Sequence, residues 1–382
     1  MYRTEFLPRL IFLLKICKIL SCYPFEWDHI LGRLIKCPPR LVATFKMQCL
    51  LSVGFYTAIG LNICFGPLTE FEKFLGFCFF MAYLVTSTIR WNYSLDNGPS
   101  QIIHAFLDVE ATLMTNLPHL PASLETKAVQ LYIKLCDVCI PAFPVLVFIL
   151  LRVVPCTPPF IASMFPGCQD VESTIANYLG RLGVNVFEAW MSVHIMYSAG
   201  IVACYVFFVG IIFILNFLRV LESHITSQLD DHYSDCIHLY RVVHILEKSL
   251  NAYLSERILP AIMFCNPVIE IFGLFVCISL SKDIPMPGFL VFPLMTIITG
   301  INNVLIVALA SKFHSSSGHV LACLEKAILS KRSKLIRRQL RACNVLKIKF
   351  GSNFVEKGTP LVLQDFCIDQ TISLILLNMD AK

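Results

Sequence analysis

Two carboxylates lie inside the last apolar segment of the chain, residues 361–379. Asp365 and Asp369 are four residues apart, so a helix places them on one face, with Gln364 beside it. Ionisable side chains within a membrane are costly and usually face water or a protein interior. In a symmetric oligomer this pair would form stacked carboxylate rings, which favour cations in a pore. The alternative is that both residues begin the helix at the lipid headgroups, where acidic side chains suit the helix dipole.

A second candidate site is aromatic. Trp190, His194 and Tyr197 recur at positions i, i+4 and i+7, which is one face of a helix. Aromatic rings with a few polar tips suit small, partly apolar ligands, although such a stripe also serves as packing or as an interfacial belt. The predicted outward halves of neighbouring segments add four more rings to this ligand-binding set: Phe79, Tyr83, Phe148 and Phe187.

Two isolated glutamates, Glu188 and Glu270, lie near the predicted outer ends of apolar segments. Either could meet a polar ligand, but contact with water at the headgroup level is the simpler expectation.

Other kinds of chemistry have no support in the sequence. It contains no phosphate-binding glycine loop, no nucleophile elbow and no metal-ligand spacing, so we expect neither an enzyme, a cofactor nor a metal site. Most of the 17 cysteines fall in apolar segments or predicted cytoplasmic flanks, where they act as small apolar residues. Cys156 and Cys168 share a predicted outward loop and could form a disulfide or remain free.

The composition identifies the elements that must position these residues. The chain has 382 residues, of which 56% are hydrophobic and 15% charged, with a mean hydropathy of +0.70. A soluble chain is about 45–50% apolar and about 25% charged, so a polytopic membrane protein is indicated. Segments of about 20 apolar residues, the length of a span, recur seven times. They cover residues 47–66, 74–95, 135–154, 186–218, 258–280, 289–310 and 361–379.

The basic residues predict the orientation. With the N-terminus inside, 26 of the 31 Lys and Arg residues flank the spans on the cytoplasmic side. The predicted fold is therefore an all-α membrane protein with seven transmembrane helices, a cytoplasmic N-terminus and an extracellular C-terminus.

This fold divides the chain into four parts. Residues 1–46 form a cytoplasmic segment with an amphipathic helix at the membrane surface over residues 7–20, and residues 47–310 hold six spans. A cytoplasmic helical region covers about 219–257 within the second part. Residues 311–357 form a basic cytoplasmic segment, helical over 326–349, and residues 358–382 form the seventh span and a short extracellular tail.

The C-terminal sequence resembles the signature of the insect-type gustatory and odorant receptor superfamily. The residues that carry the resemblance are Arg-Ala-Cys-Asn-Val-Leu-Lys-Ile-Lys-Phe-Gly at 341–351, Thr-Pro-Leu-Val at 359–362, and the end of the last span. That family closes its seventh span with Thr-Tyr, about five apolar residues and Gln-Phe. Here Thr371 and the spacing are kept, while Ile372, Asn378 and Met379 replace Tyr, Gln and Phe.

The resemblance implies a tetrameric, ligand-gated, non-selective cation channel in the plasma membrane. Its seventh spans would surround the pore, and each subunit would bind a tastant or odorant in an outward pocket between spans two and six. Besides the two aspartates, the residues implied at the pore are Gln370, Thr371, Leu374, Ile375 and Asn378. The implied partners are the small-molecule ligand, cations, membrane lipids and other subunits, either identical copies or a co-receptor, with no nucleic acid.

Two other classes share the seven-span count or the composition. A G-protein-coupled receptor would have the opposite orientation, and neither its Asp-Arg-Tyr nor its Asn-Pro-x-x-Tyr motif is present. A small-solute transporter often contains an inverted repeat, and the sequence shows none. The ligand itself, and the choice between taste and smell, are not encoded in any pattern we can read.

Overall fold

The structure is a computed structural model. It describes the chain except for residues 1, 114–120, 165–174, 228–232, 283, 285, 287, 330–333, 352, 355–358 and 381–382. Among these described residues, seven helices are long and apolar enough to cross a membrane, so the predicted seven-span all-α fold is confirmed.

The first three spans are α2 (Pro39–Phe65), α3 (Glu70–Arg90) and α5 (Leu124–Val153). All three helices begin before the predicted apolar segments, and α3 ends five residues earlier than predicted, at Arg90; side-chain caps set the starts of α3 and α5. In α3 the Thr69 side chain accepts from the Glu72 amide, and the Glu72 carboxylate accepts from the Thr69 amide. In α5 the Ser123 hydroxyl accepts from the Thr126 amide, so the helix begins at Leu124, eleven residues before the predicted start.

The fourth span is one continuous helical rod at the centre of the bundle. It consists of α6 (Ile175–Gly200), a π-helical segment (Ile201–Phe208) and α7 (Val209–Ser227). In its most apolar window 94% of the residues are buried, so protein rather than lipid surrounds this span. The core of the molecule is therefore built around it.

The remaining spans are α9 (Ile258–Ser279), α10 (Val291–Leu329) and α12 (Thr359–Asp380). α9 and α10 approach closely at Gly273, where an added Cβ would lie 2.1 Å from the Thr296 hydroxyl oxygen. Only a glycine permits this separation, which fixes α9 against α10. α12 packs on these two helices.

A helix, α1 (Leu7–Leu20), covers the predicted residues 7–20, and it packs against the other helices. A π-helical turn (Tyr2–Phe6) precedes it, and Leu10 and Cys17 are completely buried against the bundle. Arg9 forms an ion pair of 3.4 Å with Asp137 of α5. A hairpin of β1 (Phe25–Asp28) and β2 (Arg33–Lys36), which we did not predict, then leads into α2.

The predicted cytoplasmic side carries α4 (Gly98–Leu113), α8 (Tyr233–Leu254), α11 (Lys334–Arg341) and the ends of α7 and α10. The prediction of helix through residue 349 is wrong, because the chain is extended after α11. There Asn251 of α8 binds one edge of the extended segment at two points: its amide donates to the Lys347 carbonyl at 2.8 Å, and its oxygen accepts from the Lys349 amide at 3.0 Å. A short hairpin of β3 (Lys349–Phe350) and β4 (Asn353–Phe354) follows.

Candidate functional site

A cavity of about 170 Å³ lies in the middle of the bundle. It is lined by residues of spans two to six, and its walls are almost entirely apolar. Two or more residues come from each of α3, α5, the fourth span, α9 and α10, and representative ones are Ala82, Val85, Cys136, Phe143, Ala199, Ala203, Ile262, Ile269, Met295 and Ile298. Its size and lining suit a small, mainly apolar molecule.

The π-helical segment shapes this cavity. The wider π turn begins after Gly200, where an added Cβ would lie 2.6 Å from the Ile140 side chain of α5. Gly200, Ala203 and Cys204 all line the cavity, and none has a large side chain to fill it. Wide turns of this kind are frequent at functional sites.

Two asparagines give the cavity its polar character. The Asn266 amide nitrogen on α9 and the Asn302 amide oxygen on α10 are buried atoms with no hydrogen-bond partner. By contrast, the hydroxyls of Thr86 and Thr299 are occupied by carbonyls of their own helices. A ligand in the cavity would therefore meet one free donor and one free acceptor.

The seven aromatic and polar residues predicted to bind ligand lie elsewhere, and none of them lines this cavity. Phe79 and Tyr83 are fully buried in a ring cluster, where Phe79 contacts Phe160 and Phe292. Tyr83 shares a hydrogen bond of 2.6 Å with Ser192. These contacts are those of packing, and the assignment of the two residues to a ligand site stays a prediction.

The remaining members are spread over the fourth span and α5. Phe187 contacts Trp190, whose ring is 4.5 Å from the His194 imidazole, while Phe148 is half-buried on α5. The His194 Nδ1 donates to the Trp190 carbonyl at 2.7 Å, so its unpartnered Nε2 is the acceptor nitrogen. Tyr197 lines a separate cavity of about 280 Å³ beside Arg9 and Asp137.

Both glutamates expected at the headgroup level are buried. Glu188 is 0% exposed, and its carboxylate accepts from the Ile161 amide at 2.7 Å, which holds the short 3-10 turn Ile161–Met164 over the bundle. Glu270 is 6% exposed and lies on α9, one turn from Asn266. Tertiary packing, rather than water, surrounds these two carboxyl groups.

Glu270 joins the cavity to the last helix. Its Oε2 accepts from the Asn303 amide of α10 at 2.7 Å and from the Gln364 amide of α12 at 3.4 Å. Asn303 follows the cavity residue Asn302 directly. The cavity residue Asn266 is thus one turn from Glu270, which binds α12, and the cavity residue Asn302 is next to Asn303, which binds Glu270.

The last helix presents two different faces. The covered face, which contacts α9 and α10, holds Cys367 and Thr371, with the partly buried Leu374, Ile375 and Asn378 along the same stripe. Asp365, Asp369 and Gln370 are exposed, and the two aspartates share the opposite stripe with Ile372 and Leu376. The residues predicted at the pore are therefore divided between two faces of α12.

The remaining candidates are cysteines. Cys156 is disulfide-bonded. Cys168, its predicted partner, lies outside the described residues. Within the described part of the chain, no three His, Cys, Asp or Glu side chains cluster closely enough to hold a metal ion.

Solved structures share this fold. The insect olfactory receptor OR5 from Machilis hrabei in complex with eugenol superposes with a TM-score of 0.67 and 12% identity, over 99% of this chain and 100% of that chain. A second structure of OR5 from Machilis hrabei superposes with a TM-score of 0.63 and 11% identity, over 98% and 99% of the two chains. No known family model matches the sequence, and no curated protein is similar to it. At these identities the likeness concerns the fold, and the fold implied by the C-terminal resemblance is confirmed.

Proposed function

We propose that this protein is a chemosensory receptor of the insect-type gustatory and odorant superfamily, and that it acts as a ligand-gated, non-selective cation channel. The observation that carries the proposal is the central cavity, whose walls are the same helices that hold the last span through Glu270. Support also comes from the fold shared with an olfactory receptor and from the C-terminal signature.

The ligand in this proposal is a small, mostly apolar molecule with at least one hydrogen-bonding group. The cavity walls exclude a charged ligand, because burying an unpaired charge there is strongly unfavourable. Asn266 donates to an acceptor on the ligand and Asn302 accepts from a donor. Phenols, alcohols, ketones and esters of odorant size have this chemistry, and eugenol, the compound bound to the neighbouring receptor, is a reasonable first probe.

The assembly in this proposal is a tetramer of identical or related subunits, with a co-receptor as one possible partner. Only 11% of the residues in the last span are buried within one subunit, against 94% at the centre of the fourth. Copies of the chain around a common axis would cover this surface and surround a pore with the stripe of Asp365, Asp369, Ile372 and Leu376. Carboxylate rings at the predicted cytoplasmic end would attract cations.

Ligand opens such a channel by binding the open arrangement more tightly than the closed one. Asn266 and Asn302 contact the ligand, and Glu270, which lies one turn from Asn266 and is held by Asn303, binds α12 through Gln364. The connection gives a short path from the cavity to the pore helix. The receptor would reside in the plasma membrane with its N-terminus inside.

The test is whole-cell recording during a screen of volatile phenols, alcohols, ketones and esters, eugenol included. For an agonist with an acceptor group, Asn266→Leu should raise the half-maximal concentration about two- to tenfold, the value of one lost hydrogen bond. Trp190→Ala is the matched comparison, because Trp190 belongs to the aromatic face and not to the cavity wall. A change in the half-maximal concentration with Trp190→Ala but none with Asn266→Leu would show that the ligand binds at the aromatic face and not in the central cavity.

Tags at the two termini test the orientation. A surface-accessible C-terminus with a hidden N-terminus is expected, and the reverse would favour a G-protein-coupled receptor. Protein that reaches the surface but carries no agonist-evoked current, alone or with a co-receptor, would contradict the channel proposal.

A further inference from the structure

A buried arginine at the end of α3 has no acidic partner among the residues that the structure describes. Arg90 is 3% exposed, and no carboxylate in the described part of the chain lies within ion-pair distance of its guanidinium. Its Nη1 donates to the Ser52 hydroxyl at 3.3 Å, and its Nη2 lies 3.7 Å from the Cys49 sulfur. Its Nε has no hydrogen-bond partner. A buried cation held only by neutral groups is costly unless an anion reaches it.

A small cavity lies beside this guanidinium. Its volume is about 60 Å³, and it is situated between α2 and α3 with Arg90, Ser52 and Ser87 in its wall. The Ser87 side chain is 5% exposed, and its hydroxyl has no hydrogen-bond partner either. Tyr56 and Trp91 at the wall are half-buried, so the cavity is not sealed from its surroundings. The site thus offers two free donors, the Arg90 Nε–H and the Ser87 O–H, beside a net positive charge.

The groups around the guanidinium do not compensate its positive charge. The Phe45 ring lies 5.6 Å from it on the α2 side, and the buried His194 of α6, which interacts with its charge, is a base and not an acid. Neutral oxygens and a ring face solvate a cation in part, but none of them carries the compensating negative charge.

The position of the cavity in the bundle points to the membrane interface. Trp91 and Tyr93 stack just after the end of α3, and the Lys46 ammonium of α2 lies 5.1 Å from the Tyr93 ring centre. Aromatic and basic residues concentrate at the level of the lipid headgroups. The charge asymmetry of the sequence places this end of α3 on the cytoplasmic side, where anionic lipids carry the negative surface potential.

We propose that the cavity between α2 and α3, beside Arg90 and Ser87, binds a phosphate oxyanion carried by the headgroup of an anionic membrane lipid. The planar guanidinium is suited to phosphate because its N–H groups donate to two oxygens in a fixed geometry. Arg90 supplies the charge and one free N–H, and Ser87 donates to a second phosphate oxygen. The acyl chains would lie along the lipid-facing side of α2, where Leu50 and Leu51 are exposed. This site is separate from the central cavity and does not depend on the proposed channel activity.

Native mass spectrometry of the purified full-length protein tests the proposal, with dioleoyl phosphatidic acid as the probe. Dioleoylglycerol has the same chains without the phosphate, and inorganic phosphate is the headgroup without the chains. Wild-type protein should retain phosphatidic acid and not dioleoylglycerol. Arg90→Gln should lower retention at least about tenfold, the value of one charge-assisted hydrogen bond.

Two further variants keep the result interpretable if Arg90→Gln does not fold. Ser87→Ala removes a hydroxyl that has no partner in the protein, so the fold should tolerate it while phosphatidic acid binds severalfold less tightly. Arg152→Gln removes one positive charge from an exposed position at the far end of α5 and should leave retention unchanged.

Equal retention by wild type, Arg90→Gln and Ser87→Ala would overturn the proposal, and so would equal retention of dioleoylglycerol. Binding of inorganic phosphate that depends on Arg90, with no gain from the acyl chains, would support the oxyanion site and refute its assignment to a lipid.

Discussion

The carboxylate of Glu270 gives the sharpest prediction. The hydrogen bonds that it accepts from Asn303 and Gln364 differ in length and come from different helices. The bond from Asn303 is 2.7 Å long, and both residues are buried. A hydrogen bond to a charged group is worth about 1.5–3 kcal/mol. The bond from Gln364 is 3.4 Å long and near the geometric limit, so we assign it less than about 1 kcal/mol.

The two bonds also connect different elements. Asn303 joins α9 to α10, which are already fixed against each other at Gly273, and so Asn303→Ala should chiefly destabilise the fold. Gln364 joins α9 to the sparsely covered α12, and so Gln364→Ala should chiefly change the balance between closed and open channel. The expected change in half-maximal ligand concentration for Gln364→Ala is at most about fivefold.

The assay measures both quantities for each variant. Thermal unfolding in detergent should show a loss of a few degrees for Asn303→Ala and little change for Gln364→Ala. Dose–response currents should show the reverse order. Ser249→Ala is the control, because its exposed hydroxyl is bonded only to the Ile245 carbonyl of its own helix. The reasoning is refuted if Asn303→Ala is no more destabilising than Ser249→Ala, or if the effects of Glu270→Gln and Asn303→Ala simply add in a double-mutant cycle.

Two further predictions concern the open face of α12 and the hairpin that precedes α2. The double variant Asp365→Asn with Asp369→Asn should lower cation conductance and calcium permeability severalfold, while Glu325→Gln on exposed α10 surface should not; unchanged ion selectivity would remove the aspartates from the pore. His104 accepts from the Leu34 amide at 2.9 Å, and its burial, with the nearby Arg33, lowers its pKa below the usual 6.5. Only the neutral ring accepts, so this contribution is present above about pH 6.5 and is lost as the pH falls from there toward the lowered pKa. The stability difference between wild type and His104→Phe should therefore shrink in unfolding measurements between pH 7.5 and 5, and a constant difference would contradict it.

The element pattern was predictable because the bilayer acts as a simple solvent. Each span needs about 20 mainly apolar residues, and because these residues are consecutive, the sequence alone reveals them. Residues 342–349 are the exception, because they were predicted to be helical and are not. The basic segment has a helical composition, but Asn251, about a hundred positions earlier in the chain, binds its backbone groups and keeps it extended. A contact of this kind has no local signal.

The candidate site was less predictable, because a cavity forms where side chains are too small to fill the space between helices. Large aromatic residues stand out in a sequence, and here Phe79 and Tyr83 fill space. The cavity instead forms where Ala199, Gly200 and Ala203 leave it empty beside a π-helical turn. In the sequence, the signal for such a cavity is the run of small residues in the longest span.

The class, the seven spans and the acidic pair on one face of the last span follow from the sequence, because hydropathy and helical periodicity depend on neighbouring residues. The covered face of that helix, the contacts of Glu270 with Asn303 and Gln364, and the lack of a carboxylate beside Arg90 in the described chain are visible only in the folded molecule. Those facts depend on which helices become neighbours, and packing across the whole bundle sets that arrangement.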